Sequence, residues 1–282
     1  MLMLTKESVL STVCTQTQAA LYYLGQVGFL IRYRDTSILI DGYLTDYVDR
    51  HFATEAVPWK RRYAPPIAPR ELDFINAVLC THDHADHTDP DTIRAILSVN
   101  DNVKFYGTPC VAACLRNIGV PAERITALGN DAAVTLGDDI TVRNVPSAHE
   151  ELHPDENGDY CEGGFRITLG SGGDAISIYH AGDCCLWDGL EERITGTDIM
   201  ILPVNGRDYY RRYEQNIIGN FDSREAVLLA KRCHAKLLIP VHMDLYDVNA
   251  LDPAVFVSTL QTYHPQQCYH IPRPGERIIY CN

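Results

Sequence analysis

Apolar positions along the chain fall into short runs separated by turn residues, and this pattern predicts mainly β-strands. Three runs follow one another closely between Leu21 and Asp41. A glycine-marked bend separates the first two, and a turn at 34–36 precedes the third. We expect a β-meander here. Gly25 and Gly28 are not a dinucleotide-binding fingerprint, because no helix follows them.

Later in the chain, further strand-like runs alternate with helical segments. Strands are predicted at 77–80, 103–107, 132–136, 140–145, 164–169, 175–180, 197–204, 236–242 and 277–280. Helices are predicted at 90–97 and 111–115 behind N-cap and proline signals, at 226–233 behind a capping box, and at 253–263. Hairpins and strand–helix units are mixed without a linker. This order predicts an α/β protein with a single domain over residues 1–282, built as a sandwich of two mixed sheets with helices outside.

The segment 42–70 lacks a regular pattern. It contains several prolines between Pro58 and Pro69 and the basic run 60–62. Three interpretations remain open for it: a solvated surface loop, an active-site lid, or an oligomer contact.

Composition limits the classes of partner. The 282-residue chain has a net charge of -13, which argues against a nucleic-acid partner because nonspecific nucleic-acid binding needs a positive surface. The charge does not exclude an anionic substrate, since metal ions and a local group of arginines can invert the field inside a pocket. A membrane partner is not expected, because no apolar run approaches the length of a span.

The cysteines and the first residues indicate the compartment. Residues 1–20 contain Lys6 and Glu7 and no long apolar run, so no signal peptide is predicted. The ten cysteines show no regular spacing, although Cys110 and Cys114 lie one helical turn apart, and a CxxC zinc pattern is absent. We expect reduced, mostly buried thiols in a cytoplasmic protein.

The stretch 81–90 carries a strong chemical signal. It contains three histidines and three aspartates between a predicted strand and a predicted helix, which is where α/β sheets place their sites. Imidazole nitrogens and carboxylate oxygens suit zinc, manganese or iron(II). His82 and His84 point the same way in an extended segment, whereas Asp86 and His87 approach from another side. The spacing predicts two metal positions, or one position with a spare ligand.

Three further residues, His149, Asp183 and His242, each directly follow a predicted strand. Taken alone, a strand-end histidine is more often structural, and Asp183 could be a turn residue. Together with the four ligands at 82–87, they make seven nitrogen or oxygen donors, a number that fits two adjacent metal ions sharing a carboxylate. His180 is interpreted as a strand residue or a supporting partner of the site.

With these residues in place, the chain resembles the metallo-β-lactamase superfamily. The matching residues are Asp41, His82, His84, Asp86, His87, His149, Asp183 and His242. The resemblance implies a four-layer αββα sandwich of two mixed sheets flanked by helices, with metals at one edge between the sheets. It also implies the ligand sets, which are His82, His84 and His149 for one metal, Asp86, His87 and His242 for the other, and Asp183 as the bridge.

The chain also resembles one branch of that superfamily, the L-ascorbate-6-phosphate lactonases. The matching segments are 24–30, 81–87, 202–208, 217–226 and 239–244. The branch is cytoplasmic, uses manganese and opens a phosphorylated sugar lactone. The resemblance therefore favours one or two Mn(II) ions, with Zn(II) or Fe(II) as alternatives, and a small anionic substrate. Two positions depart from the pattern: Gly42-Tyr43, where a proline is expected after Asp41, and Cys184, where a threonine is expected.

The predicted function is metal-assisted hydrolysis of a lactone or ester of a small, phosphorylated, sugar-like molecule. The metal lowers the pKa of bound water, and Asp86 or Asp183 orients the nucleophile and transfers its proton to the leaving group. Cationic and amide groups between the Asp183 and His242 motifs are candidates for the phosphate. These candidates are Arg207, Asn205, Asn220 and Arg211.

Two alternatives remain open at the level of sequence. One is a phosphodiesterase of the same fold, and the other is a metal-binding regulatory module without turnover. A homo-oligomer is compatible with the sequence, which contains no signal for a particular subunit number.

Overall fold

The computed structural model describes residues 2–282. Its strands are β1 Gln18–Gly25, β2 Gly28–Tyr33, β3 Thr36–Ile40, β4 Ala77–Cys80, β5 Lys104–Gly107, β6 Ile125–Ala127, β7 Ala133–Leu136, β8 Ile140–Pro146, β9 Gly163–Leu169, β10 Ile176–His180, β11 Ile199–Pro203, β12 Leu237–Val241 and β13 Arg277–Cys281. Its α-helices are α1 Lys6–Leu10, α2 Tyr47–Phe52, α3 Pro90–Leu97, α4 Pro109–Ile118, α5 Leu190–Ile194, α6 Ser223–Arg232 and α7 Pro253–Tyr263.

The strands form two mixed sheets. One has the order β13-β1-β2-β3-β4-β5-β6, and the other has the order β12-β11-β10-β9-β8-β7. In the first sheet β3 to β6 are parallel, and in the second β10 to β12 are parallel, whereas the hairpin-connected strands are antiparallel. The carboxyl ends of β3, β4 and β5 therefore lie at one edge of the first sheet. Those of β8, β10 and β12 lie at one edge of the second.

In the central strands, alternating side chains belong to two different cores. In β1, Leu21 and Tyr23 belong to the core between the sheets, whereas Tyr22 and Leu24 belong to a core beneath α3 and α4. The outer face of the second sheet packs in the same way against α5, α6 and α7. Both faces of the central strands are buried, which explains why their sequences are almost continuously apolar. The predicted αββα sandwich is confirmed.

Most predicted elements are present, and their start signals act as expected. Asp89 and Thr108 cap α3 and α4 through their side chains, and the capping box at the start of α6 is formed in both directions. Elements that the sequence did not predict are short: α1, α2, α5, β6 and a π-helix at Tyr210–Glu214. These elements have little room for a periodic pattern, so the sequence signal for them is weak.

The cysteine prediction is wrong for one pair. Cys110, at the start of α4, is bonded to Cys161, in the loop before β9, and their Cα atoms are 5.1 Å apart. The two residues are 51 positions apart in sequence, so only the fold brings them together. The other eight cysteines are free, and five of them are buried. Within residues 2–282, no helix is both long enough and apolar enough to span a membrane.

Candidate metal centre

The predicted ligands come together where the two sheets present their carboxyl ends. His82 follows β4, His149 follows β8, Asp183 follows β10 and His242 follows β12. Four strands from two sheets thus deliver side chains to one place, although they are far apart in sequence. His84, Asp86 and His87 reach the same place from the loop between β4 and α3.

The seven side chains form overlapping groups of three, in each of which the donor atoms lie within 4.8 Å of one another. One group is His82, His84 and His149, another is Asp86, His87 and His242, and a third joins His82 and His87 to Asp183. The first two groups are the two ligand sets that the resemblance implies. The structure therefore brings together every residue predicted to bind metal.

Asp183 lies between the two groups. Its Oδ1 is 3.3 Å from His87 Nε2 and 3.3 Å from His242 Nε2, and its Oδ2 is 3.7 Å from His149 Nε2. One carboxylate oxygen thus faces each group. This is the position that a bridging ligand requires.

Four polar atoms of the ligand side chains are buried and unpaired. Among residues 2–282, His82 Nε2, His87 Nε2, His149 Nδ1 and Asp183 Oδ1 are buried without a hydrogen-bond partner. Several orphaned polar atoms in one small volume would be costly unless another group satisfied them. Imidazole and carboxylate donors at this spacing fit divalent metal ions. His84 is exposed and faces the adjoining cavity.

Burial sets the protonation of two histidines. It lowers the pKa of His82 well below its usual value, and the nearby imidazoles of His87 and His84 lower it further. Burial also lowers the pKa of His149 to about 4. Both rings are therefore neutral at neutral pH, which is the form that binds a metal ion.

In the group of Asp86, His87 and His242, pairing of opposite charges has a larger effect on the pKa values than burial. Burial lowers the pKa of His87 and His242, but Asp183 and Asp86 outweigh it and raise the pKa of both rings. In return, His242 and His87 hold the pKa of Asp183 well below its usual value against the effect of burial. Burial raises the pKa of Asp86 as well, but His87 and His242 outweigh it and lower that pKa. The buried Asp183 and the partly exposed Asp86 are therefore both ionised, and a divalent cation beside them would balance their charge.

Asp41 orients the His87 ring from the side opposite the other ligands. It follows β3, is fully buried, and its Oδ2 lies 2.9 Å from His87 Nδ1. The same carboxylate accepts hydrogen bonds from the backbone N–H of Thr81 at 2.8 Å and from its hydroxyl at 2.7 Å. A carboxylate behind a histidine fixes the ring and directs the other nitrogen toward the ligand site.

Two polar residues beside the ligands carry no sequence signal of their own. Gln26, in the bend between β1 and β2, places Nε2 2.9 Å from Asp86 Oδ2 and 3.1 Å from His242 Nε2. Asn249 places Nδ2 3.5 Å from His242 Nδ1. The glycine-marked bend at Gln26 was visible in the sequence, but its position beside the metal ligands follows from sheet topology.

The remaining histidines lie outside the ligand groups. His180, at the end of β10, is buried, with Nε2 2.7 Å from the carbonyl of Val27 and Nδ1 accepting from the N–H of Gly182. Both ring nitrogens are thus used by the backbone. His180 is the last residue of β10, as one of its two interpretations predicted, and a supporting role in the site stays a prediction.

A cavity of about 670 Å³ opens in front of the ligands. His84, Asp86, His149, Asp183 and His242 line one part of it. The segment 42–70, which we call the flap, lines another part with the side chains between Tyr47 and Trp59. The flap, which contains α2, thus forms a wall of the cavity, and its roles as a lid or as an oligomer contact stay predictions.

The side chains predicted to bind phosphate are not among the cavity-lining residues. Arg207 makes two bonds to the carboxylate of Glu225, at 2.6 and 2.8 Å. Arg211 bonds to Asp208 at 2.5 Å and to Asn249 at 3.0 Å.

The two asparagines predicted for the same task are also engaged elsewhere. Asn205 and Asn220 are buried and bonded to each other at 3.0 Å, and Asn205 Nδ2 donates to Asn249 Oδ1 at 2.7 Å. Asn220 Oδ1 accepts from the N–H of Cys184 at 2.9 Å. Together the four residues support the segment between β11 and α6, and they leave no cation facing the ligand groups.

The two departures from the lactonase pattern have structural roles. Tyr43 is buried, and its hydroxyl lies 2.7 Å from that of Tyr246 and 3.3 Å from Asp49 in the flap. Cys184 is buried beneath the site, among apolar residues of the second sheet's outer core. The tyrosine thus anchors the flap beside the cavity, and the cysteine fills a packed position.

Comparison with known proteins agrees with this geometry. The chain matches the family model "Beta-lactamase superfamily domain" over residues 36–243. It is 27% identical over 199 residues to a UPF0173 metal-dependent hydrolase of Sulfurisphaera tokodaii, covering 68% of this chain and 78% of that protein.

Solved structures show the same fold. The metallo-beta-lactamase fold protein YhfI from Bacillus subtilis has a TM-score of 0.66 at 18% identity, over 93% of this chain and 100% of YhfI. The isothiocyanate hydrolase from Delia radicum gut bacteria has a TM-score of 0.71 at 18% identity, with the same coverage. The family match spans more than half of the chain and contains all seven candidate ligands, and the chain therefore belongs to the beta-lactamase superfamily.

Proposed function

We propose that the protein is a metal-dependent hydrolase that opens the carbonyl–oxygen bond of a lactone or ester. The observation that carries this proposal is the pair of ligand groups joined by Asp183 at the wall of a cavity. The metal-dependent hydrolase among its sequence relatives supports the reaction class. A bound divalent ion would acidify a water molecule and polarise the substrate carbonyl.

The two aspartates suit different tasks in this reaction. Asp183 is buried and faces both ligand groups, so it holds the site together. The Asp86 side chain is partly exposed to the cavity, and its carboxylate is held by the Gln26 amide. Asp86 Oδ2 is thus placed to orient the attacking water, accept its proton and pass it to the leaving alkoxide.

The finer assignment rests on the resemblance to the L-ascorbate-6-phosphate lactonases. It supports a lactone as substrate, manganese as the native metal and a cytoplasmic location. Support for the phosphate is weaker, because Arg207 and Arg211 are paired with carboxylates outside the cavity.

The test is a hydrolysis assay with metal-loaded protein. Lactones, esters, phosphodiesters and thioesters are offered with Mn(II) or Zn(II). We expect turnover of the lactones and esters that disappears with chelator. Preferred cleavage of phosphodiesters would instead favour the phosphodiesterase alternative, and metal binding without any turnover would favour the regulatory module.

Ligand variants test the assignment directly. His84→Ala and Asp183→Asn should abolish turnover, because each removes a donor from a group of three. His84 is exposed, so its loss leaves the core intact. His153→Ala is the matched control, because this half-exposed histidine bonds only to Glu162. Retained activity in either ligand variant would refute the assignment.

A further inference from the structure

The side walls of the cavity are more apolar than the end that carries the candidate metal ligands. The flap contributes the apolar or aromatic side chains of Tyr47, Val48, Phe52, Val57 and Trp59. Ile217 and Ile218, from the segment that follows the π-helix, and Tyr246 add to this surface. The part of the cavity next to the polar ligands is thus lined largely by apolar and aromatic side chains.

Part of this surface is rigid. Trp59 packs edge-to-face on Tyr246, with ring centroids 5.1 Å apart. The hydroxyl of Tyr246 is held by Tyr43 at 2.7 Å and donates to Asp49 at 2.9 Å. Aromatic rings fixed in this way present area to a ligand at little entropic cost.

Another part of this apolar surface is exposed to solvent. Phe52, the last residue of α2, lines the cavity and is 54% exposed. A large aromatic side chain in that state gains free energy when an apolar group covers it. A substrate that reaches from the ligands to α2 would provide that cover.

The charges of the lining disfavour an anionic substituent. Within the described chain, the ionisable lining residues other than tyrosine, cysteine and histidine are Asp83, Asp86 and Asp183, and no arginine or lysine contributes. The arginines of the segment 205–222 are paired with Glu225, Asp208 and Glu150. A negative group placed away from the ligands would therefore meet carbon, like charge, or the uncharged polar side chains of Thr54, Gln215 and Asn216.

We propose that the cavity selects an uncharged lactone or ester whose alkyl or aryl substituent packs against Phe52, Trp59 and Ile218. The proposal rests on the proposed hydrolase function and specifies its substrate class. Ligand pockets commonly measure about 300–1,000 Å³, so the observed volume has room for a ring and a substituent. Burial of each added methylene should raise kcat/KM about fourfold until the apolar surface is filled.

The experiment compares γ-lactones with side chains from methyl to hexyl and a phosphorylated lactone, using Mn(II)-loaded protein. The matching lactams, which resist hydrolysis, are titrated calorimetrically to give Kd. We expect kcat/KM to rise and Kd to fall along the alkyl series, with the phosphorylated compound weaker than the longest alkyl compound. Phe52→Ala should flatten both series, and Phe52→Arg should reverse the order of alkyl and phosphorylated compounds.

Val255→Ala is the matched control, because Val255 is an exposed apolar residue on α7 away from the cavity. It should leave both series unchanged. A flat alkyl series, or tighter binding of the phosphorylated compound by the unmodified protein, would overturn the proposal. If no ester or lactone is hydrolysed at all, the hydrolase function fails, and the lactam titrations still decide whether the cavity selects alkyl groups.

Discussion

At the scale of single residues, the metal centre depends on groups behind the ligands as well as on the ligands. The His87 ring points Nε2 toward Asp183 because its Nδ1–H donates a hydrogen bond to the Asp41 carboxylate. Asp41 also accepts two hydrogen bonds from Thr81, which begins the loop that carries four ligands. The buried Asp41 carboxylate thus fixes both the His87 ring and the start of the loop at Thr81.

Asp41→Asn should weaken metal binding about 10- to 100-fold, because the amide N–H would face the Nδ1–H of His87. Competition with a chromophoric chelator measures the affinity, and a chelator-stripped sample gives the baseline. Asp198→Asn is the control, because Asp198 is a mostly buried carboxylate on the second sheet that accepts from Ser177 and Lys236. Equal metal affinity in both variants would contradict the role given to Asp41.

At the scale of elements, several polar contacts hold the flap to the rest of the molecule, among them those of Thr45 with Asp89, Arg50 with Asp91 and Arg62 with Asp247. Tyr246 links it through Asp49, and Arg61 donates its backbone N–H to the other oxygen of Asp49 at 2.8 Å. The first bond joins α2 to the segment after β12, which also carries the ligand His242, and the second lies within the flap. The flap and one end of the metal centre therefore share a support.

Tyr246→Phe removes the hydroxyl that bonds to Tyr43 and Asp49. We expect the free energy of local opening of the flap to fall by about 1–2 kcal/mol, because a buried hydrogen-bonding group loses its partner. Hydrogen exchange of the backbone amides at 47–59 should accelerate accordingly.

Tyr179→Phe is the control for the flap experiment. Within residues 2–282 the buried hydroxyl of Tyr179 has no hydrogen-bond partner, so its removal should leave flap exchange unchanged. If the two variants exchange at the same rate at 47–59, the hydroxyl of Tyr246 does not hold the flap.

At the scale of the whole molecule, one covalent link reinforces the αββα sandwich. The bond between Cys110 and Cys161 ties α4, on the outer face of the first sheet, to the loop before β9 of the second. The same loop contains the ligand His149, and the hydroxyl of Thr108, at the start of α4, donates to the carbonyl of Cys161 at 2.7 Å. The link therefore supports the side of the sandwich next to the metal centre.

Replacement of Cys110 and Cys161 by serine should lower the free energy of unfolding by about 2–4 kcal/mol, since the bond closes a long loop in the unfolded chain. Urea unfolding with and without reductant measures the difference. Reductant should destabilise the unmodified protein and leave the double variant unchanged. An unmodified protein that is insensitive to reductant would show that the thiols are free, as the sequence predicted.

Local sequence patterns were enough to predict the longer strands and helices and a set of candidate ligands. Strand runs, N-caps and the capping box act within a few residues, so a local pattern can reveal them, as Asp89 and Thr108 show. Four ligands were recognisable from their spacing in the loop after β4, and His149, Asp183 and His242 because each lies shortly after a strand. Their proximity is confirmed by the structure, whereas metal binding stays a prediction.

Contacts between side chains that are far apart in sequence could be seen only in the folded structure. Gln26 lies beside Asp86 because the β1–β2 bend and the end of β4 share an edge, and no local pattern encodes that. Arg207 was predicted to bind phosphate from its position in the chain, yet its guanidinium pairs with Glu225. Hydrophobic periodicity selects the faces of strands and helices, whereas the partners of a polar side chain depend on the topology that follows.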